Sequence, residues 1–145
     1  MKSLTMLLRD KQRLLAMLLG LEGVIEVLAF FPGVMPERWM AAVHTWLGLG
    51  PFPASPLLDY IIRSACLLYG LHGVLLLVLA TDVRRFRPVI IYVAASYFLA
   101  AVAFVGIDLV NAMPWWWTVG EVGSVFWLGG VLLLLLWLSR GDNAT

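Results

Sequence analysis

The sequence predicts an all-α, polytopic membrane protein: a four-transmembrane-helix bundle with a short interfacial helix in its first outer loop, forming one transmembrane domain over residues 1–145. Three observations carry this. Hydrophobic residues make up 62% of the chain against 13% charged, with a mean hydropathy of +0.93, whereas soluble domains have about 45–50% apolar and about 25% charged residues. Four apolar segments are long enough to cross a hydrocarbon core of about 30 Å. The basic residues cluster at alternate connections along the chain, as they do in multi-pass proteins. The net charge of +1 gives no basic field for nucleic acid. A single cysteine, Cys66, excludes an internal disulfide and a cysteine-rich metal site.

The spans are expected at about 14–31, 57–80, 88–110 and 115–138. Pro32-Gly33 closes the first, and Pro56 precedes the second. Pro88 opens the third, where a missing N–H costs nothing. Met113-Pro114 divides the third from the fourth. Lys2, Arg9, Lys11, Arg13, Arg84, Arg85, Arg87 and Arg140 all fall on one side of this arrangement, and Arg38 alone on the other. Both termini are therefore expected in the cytoplasm. Trp115-Trp116-Trp117 falls at the outer aromatic belt and Trp137 near the inner one. Residues 1–13 lack the features of a cleaved signal and are expected to form a short interfacial helix, with Leu4, Leu7 and Leu8 toward lipid. The tail from Gly141 is expected to fray.

In the long first outer loop, Pro36 to Leu47 places Trp39, Met40, Val43 and Leu47 at helical spacing behind an initiating proline. This amphipathic outer segment at about 36–47 is expected to lie on the membrane surface. Gly48 to Pro53 then makes an irregular return. Gly20 with Gly23, Gly70 with Gly73, and Gly120 with Ser124 are expected points of close helix approach. Val131 to Leu138 is uniformly large and apolar, as a lipid-facing or partner-facing surface would be.

Charge inside the spans is the informative feature, because each such residue costs roughly 2.5–3.5 kcal/mol to insert. Glu22 and Glu26 share a face of the first span, and Asp59 and Arg63 a face of the second with Cys66 and Gly70. Tyr97, Ala101, Phe104 and Asp108 share a face of the third span, and Trp117, Glu121, Val125 and Leu128 one of the fourth. Pointed inward, these faces would enclose an outward-opening acidic pocket of Glu22, Glu26, Asp59, Arg63, Asp108 and Glu121, with His44, Tyr97 and Trp117 as lid or pocket contacts. Counted from the predicted span ends, Glu26, Arg63 and Glu121 lie at matching depths of about 7–9 Å, so Arg63 is expected to pair with Glu26 or Glu121. One fixed cation among five carboxylates is an imbalance that a proton or a bound cation would relieve. His44 and His72 lie too far apart along the expected depth to share a haem, and His72 is expected to be a hydrogen-bonded packing residue. No cofactor and no metal site are expected. No nucleophile–base spacing, phosphate loop or Cys-x-x-Cys pair occurs.

The stretches His44-Thr45-Trp46-Leu47-Gly48-Leu49-Gly50, Tyr69-Gly70-Leu71-His72-Gly73 and Met113-Pro114-Trp115-Trp116 with Glu121 look like those of four-span proteins of environmental bacteria. The layout, one span, a long outer loop with a short helix, then three closely linked spans, resembles the small DoxX-like membrane proteins at the level of topology. This resemblance implies a bacterial inner (cytoplasmic) membrane and carries over no activity.

Three functions are weighed in this order. The first is an accessory or assembly subunit, packed against a larger membrane-protein complex or forming a homo-oligomer in the lipid bilayer. The second is a binding or transport module whose acidic pocket takes a cation, proton or small polar solute. The third is a membrane enzyme acting on a lipid-like substrate through buried carboxylates, by analogy of site type with sterol-isomerase-like membrane proteins.

Overall fold

The computed structural model describes residues 2–53 and 55–139, with side chains at 10–53 and 55–139. It is all-helical: α1 (Lys2–Val27), α2 (Phe30–Val34), α3 (Glu37–Trp46), α4 (Pro56–Thr81), α5 (Arg87–Val110) and α6 (Trp115–Leu138). Four stretches are long and apolar enough to cross a membrane, Asp10–Val34, Pro56–Thr81, Arg87–Val110 and Trp115–Leu138, so this is a multi-pass membrane protein. The last three match the expected spans within a residue or two. The first differs at both ends.

At its start, α1 runs as one helix from Lys2, so the N-terminal segment is not a separate interfacial helix. No glycine or proline precedes Gly20 to break it. The expected placement of Leu4, Leu7 and Leu8 falls outside the described side chains, and Arg140 and the tail from Gly141 fall outside the described residues. At its far end, Pro32 does not terminate the span. Having no N–H, it cannot bond the Leu28 carbonyl, and the helix kinks there. Phe31 N–H bonds Leu28 O at 3.0 Å and Ala29 N–H bonds Glu26 O at 2.9 Å, a tightened turn, before α2 continues to Val34.

The chain divides into two compact units, Leu19–Val78 and Met1–Leu18 with Leu79–Thr145. In the Leu19–Val78 unit, the later part of α1, with α2, packs antiparallel to α4. The register is set by glycine. A Cβ on Gly73 would lie 2.6 Å from Val27 N and 2.7 Å from Gly23 O, and one on Gly70 would lie 2.5 Å from the Phe30 ring. Gly33 faces Cys66 Cβ in the same series. α3 begins after Pro36 as expected and buries Met40, while Trp39, Val43 and Trp46 stay exposed. The return after α3 turns on Gly48 and Gly50, at φ +75° and +86°, values that L side chains rarely adopt.

In the other unit, α5 and α6 form an antiparallel hairpin. Gly129 lets α6 approach α5: a Cβ there would lie 3.0 Å from Ala94 O. The run Val131 to Leu138 is not uniformly outward-facing. Leu128, Leu132, Leu135 and Leu136 are buried, and Leu134 and Trp137 are exposed, a one-sided stripe at helical spacing. Arg87 donates to Leu136 O at 2.6 Å and to Ser139 Oγ at 3.1 Å, placing a cation at the negative end of α6. Arg84 Nε donates to Gln12 Oε1 at 2.8 Å. Of the expected glycine contacts, those at Gly23, Gly70 and Gly73 form, whereas a Cβ on Gly20 or Gly120 would meet nothing within 4 Å.

Candidate functional site: a histidine–carboxylate pair and an anchored arginine

The antiparallel register of α1 and α4 decides which polar groups meet. Val27 sits against Gly73, so Glu26 and His72, one position away on each helix, come side by side. His72 Nδ1 and Glu26 Oε2 are 2.5 Å apart. With the carboxylate ionised, the ring N–H is the donor. The Glu26 side chain is 11% exposed and that of His72 31%, so the contact is a short hydrogen bond in a largely apolar setting. Glu22, one turn back along α1, is half-buried and within electrostatic reach of both Glu26 and His72. Two acids and an imidazole thus occupy one stretch of the α1–α4 seam. Imidazole is the side chain whose ordinary titration range lies nearest neutral pH.

Arg63 does not take Glu26, contrary to expectation, and Glu121 belongs to the other unit. Its Nε bonds both carboxylate oxygens of Asp59 at 2.9 Å, its Nη1 bonds Gly33 O at 2.8 Å and its Nη2 bonds Met35 O at 3.3 Å. The physical reason is the Pro32 kink. Continuation of the first span through α2 brings the end of α2, with its unsatisfied carbonyls, level with Arg63, and leaves Glu26 about two turns below that end. Arg63 therefore caps α2, and Asp59 neutralises it from one turn away on α4. Glu26 takes the imidazole instead. His44 Nδ1 is 3.1 Å from Gly50 O, and its ring meets Phe52 edge-on with centroids 5.5 Å apart. It fastens the loop that follows α3.

The remaining expected site residues belong to the α5–α6 unit. Asp108 is 4% exposed, with Ala101 buried and Tyr97 and Phe104 half-buried along the expected face of α5. On the expected face of α6, Trp117, Glu121 and Val125 are half-buried and Leu128 is buried. Trp117 Nε1 donates to Glu121 Oε2 at 3.2 Å, and Asp108 lies within electrostatic reach of Glu121. A cavity of about 310 Å³ opens at the turn between α5 and α6, lined by Asp108, Leu109, Met113, Trp115, Thr118 and Val119 among others. Glu22, Glu26, Asp59 and Arg63 thus belong to one unit, and Asp108 and Glu121 to the other. His72 is the residue that sequence reasoning left out of the site. Its signal was the glycines flanking its face, Gly70 and Gly73, which mark where the facing helix comes close. Among the described residues, no three of His, Cys, Asp or Glu are grouped so as to hold a metal ion.

Compared with protein-family models, curated proteins and solved structures, the chain gives no match.

Proposed function

We propose that the protein is a small membrane-embedded binding or transport module whose working group is the Glu26–His72 pair with Glu22 beside it, and whose bound species is a proton. The observation that carries this reading is the 2.5 Å contact between Glu26 and His72 on the apolar α1–α4 seam. Ionisable residues are expensive within a span and mark proton or ion pathways by default. A carboxylate hydrogen-bonded to an imidazole, with a second acid one turn away on the same seam, supplies neighbouring proton sites. Arg63 is held by Asp59 and the end of α2, which leaves Glu26 to His72. The test is proton movement in vesicles. Protein reconstituted with an internal pH-sensitive dye and subjected to a potassium diffusion potential is expected to acidify the lumen faster than empty vesicles. Glu26→Gln and His72→Gln are expected to abolish the difference. Equal rates for native protein, both variants and empty vesicles would overturn the reading.

A second reading, an accessory subunit or homo-oligomer, is favoured by a separate observation. Gly120, Gly123 and Ser124 form a small-residue notch on α6 that is exposed for most of its length, and a Cβ on either glycine would meet nothing within 4 Å. Such notches let another helix approach closely. Gly120→Leu with Gly123→Leu is expected to shift the mass of the detergent-solubilised complex if a helix docks there, and an unchanged mass would remove this reading.

The distribution of lysine and arginine supports placing both termini in the cytoplasm, and the DoxX-like layout implies a bacterial inner membrane. In a Cys66→Ala background, Ser55→Cys is expected to react with an impermeant thiol reagent on intact cells, and Ser3→Cys only after lysis. The reverse pattern would invert the topology.

A further inference from the structure

The connection between α4 and α5 carries cations that the proton site does not use. Arg84 and Arg85 lie in it and are exposed, and Arg84 Nε donates to Gln12 Oε1 of α1 at 2.8 Å. That bond places the connection beside Lys11, Gln12 and Arg13, within one unit of the chain. The span Asp10–Val34 begins at this level, Pro56–Thr81 ends there and Arg87–Val110 begins there. These residues therefore lie at the ends of apolar spans, where a bilayer places its headgroups.

The charges at this level are not cancelled from within. Arg87 is already bound to Leu136 O and Ser139 Oγ. Arg85 lies 5.5 Å from the centroid of the Phe86 ring, a contact that leaves its charge in place. Among the described residues, Lys11 and Arg13 make no ion pair or side-chain hydrogen bond, and neither Asp10 nor Asp82 pairs with a cation. Asp82 Oδ1 accepts the Arg85 backbone N–H instead. The partner of Arg84 is the decisive feature. Gln12 is neutral, so it fixes the guanidinium without offsetting its charge. With Nε held, Nη1 and Nη2 have no partner among the described residues, and this is the pair of donors that grips a phosphate with two parallel hydrogen bonds. Arg63 is the contrast, since its Nε, Nη1 and Nη2 are all bonded within the protein.

We propose that Arg84, oriented by Gln12, binds the phosphate of an anionic phospholipid headgroup, with Lys11, Arg13 and Arg85 around it. Charge complementarity names the occupant. Lys11, Arg13, Arg84 and Arg85 outnumber Asp10 and Asp82, and a headgroup of net negative charge offsets that surplus, as acidic lipids do at basic pockets between spans. A zwitterionic headgroup brings its own cation and offsets nothing. The setting selects a lipid over a free phosphate. Leu14 and Met17, 47% and 70% exposed, follow Arg13 along the first turn of the span, so acyl chains find an apolar surface continuous with the headgroup site.

The test is lipid retention on the intact protein. Detergent-purified protein is incubated with equal amounts of phosphatidylglycerol and phosphatidylcholine of the same acyl chains, and the bound lipids are counted by native mass spectrometry. Native protein is expected to keep phosphatidylglycerol about tenfold over phosphatidylcholine, each cation near a headgroup contributing up to about fivefold. Arg84→Gln is expected to cut the preference to about twofold. Gln12→Glu, which keeps the contact with Arg84 and supplies the missing negative charge, is expected to cut it as far and decides the matter if the Arg84 variant does not fold. Arg38→Gln, which removes a cation of α3, is expected to leave it at about tenfold. Equal retention of the two lipids by native protein, a preference that survives Gln12→Glu, or a fall with Arg38→Gln as large as that with Arg84→Gln would overturn the proposal.

Discussion

The α1–α4 seam and the α5–α6 hairpin both carry acids inside apolar helices, and they treat them differently. On the seam, Asp59 is met by Arg63 and Glu26 by His72. In the hairpin, Glu121 receives an indole N–H from Trp117 at 3.2 Å, while Asp108 is more deeply buried and its Oδ2 has no hydrogen-bond partner among the described residues. The difference follows from how each pair of helices approaches. Gly23, Gly70 and Gly73 bring α1 and α4 to backbone contact, and at that range a side chain on one helix reaches a partner on the other. In α5–α6 the basic residues sit at one end, with Arg87 spent on the end of α6, and the other end is left with acids alone. The acids of the seam are met within the seam, and the hairpin leaves one oxygen of Asp108 without a partner among the described residues.

The largest expected effect breaks the seam and spares the hairpin. A side chain at Gly73 would be driven into the Val27 N and Gly23 O positions, and backbone does not yield as a flexible side chain does. Gly73→Leu is expected to cost at least ~3 kcal/mol, the upper range of overpacking, measured by unfolding in mixed detergent micelles. Gly129→Ala, whose Cβ would meet Ala94 O at 3.0 Å, is expected to cost about 1 kcal/mol. Equal costs at the two sites would show that the approach distances do not distinguish the regions.

Arg63 comes next. Arg63→Leu strands the Gly33 and Met35 carbonyls and leaves Asp59 without its cation, and is expected to lower stability in the same unfolding assay. Adding Asp59→Leu is expected to recover part of that loss, whereas adding Glu26→Leu is expected to deepen it, because Glu26 serves His72. Recovery by the Glu26 change would mean that Arg63 and Glu26 are partners after all. The smallest effect belongs to the hairpin: Trp117→Phe removes one hydrogen bond to Glu121 and is expected to cost ~0.5–1 kcal/mol in the same unfolding assay.

These contrasts also mark what the sequence makes legible. The four spans follow from length and apolarity, and helical spacing groups the residues that share a face of α5 or α6, among which Asp108 and Leu128 are buried. The partner of Arg63 does not follow, because it depends on register, and register depends on where the first span ends. Pro32 reads as a stop, yet its missing N–H produces a kink at Leu28–Ala29 and a further turn of helix. That added length moves the depths of Glu22 and Glu26, which are counted from the end of the first span. It replaces the expected pairing of Arg63 with Glu26 or Glu121 by two separate contacts, Arg63 with the end of α2 and Glu26 with His72. The contact at Gly129 is hidden for a different reason: Gly129 and Gly130 adjoin in the sequence, and nothing in their spacing says which of them faces α5. Arg87 fits the charge rule for a cytoplasmic loop, which conceals its second role on the last carbonyls of α6.

The Glu26–His72 contact is the centre of this account, and the chain has two histidines, His44 and His72, so it can be observed in isolation. In ¹⁵N-histidine-labelled protein carrying His44→Gln, one imidazole remains. Its two nitrogen resonances, followed against pH, are expected to show Nδ1 in a strong hydrogen bond and to titrate at a pH that moves when Glu26→Gln is introduced. A smaller displacement is expected with Glu22→Gln. Resonances and titration that are the same with and without the Glu26 carboxylate would contradict the pairing and, with it, the proton site.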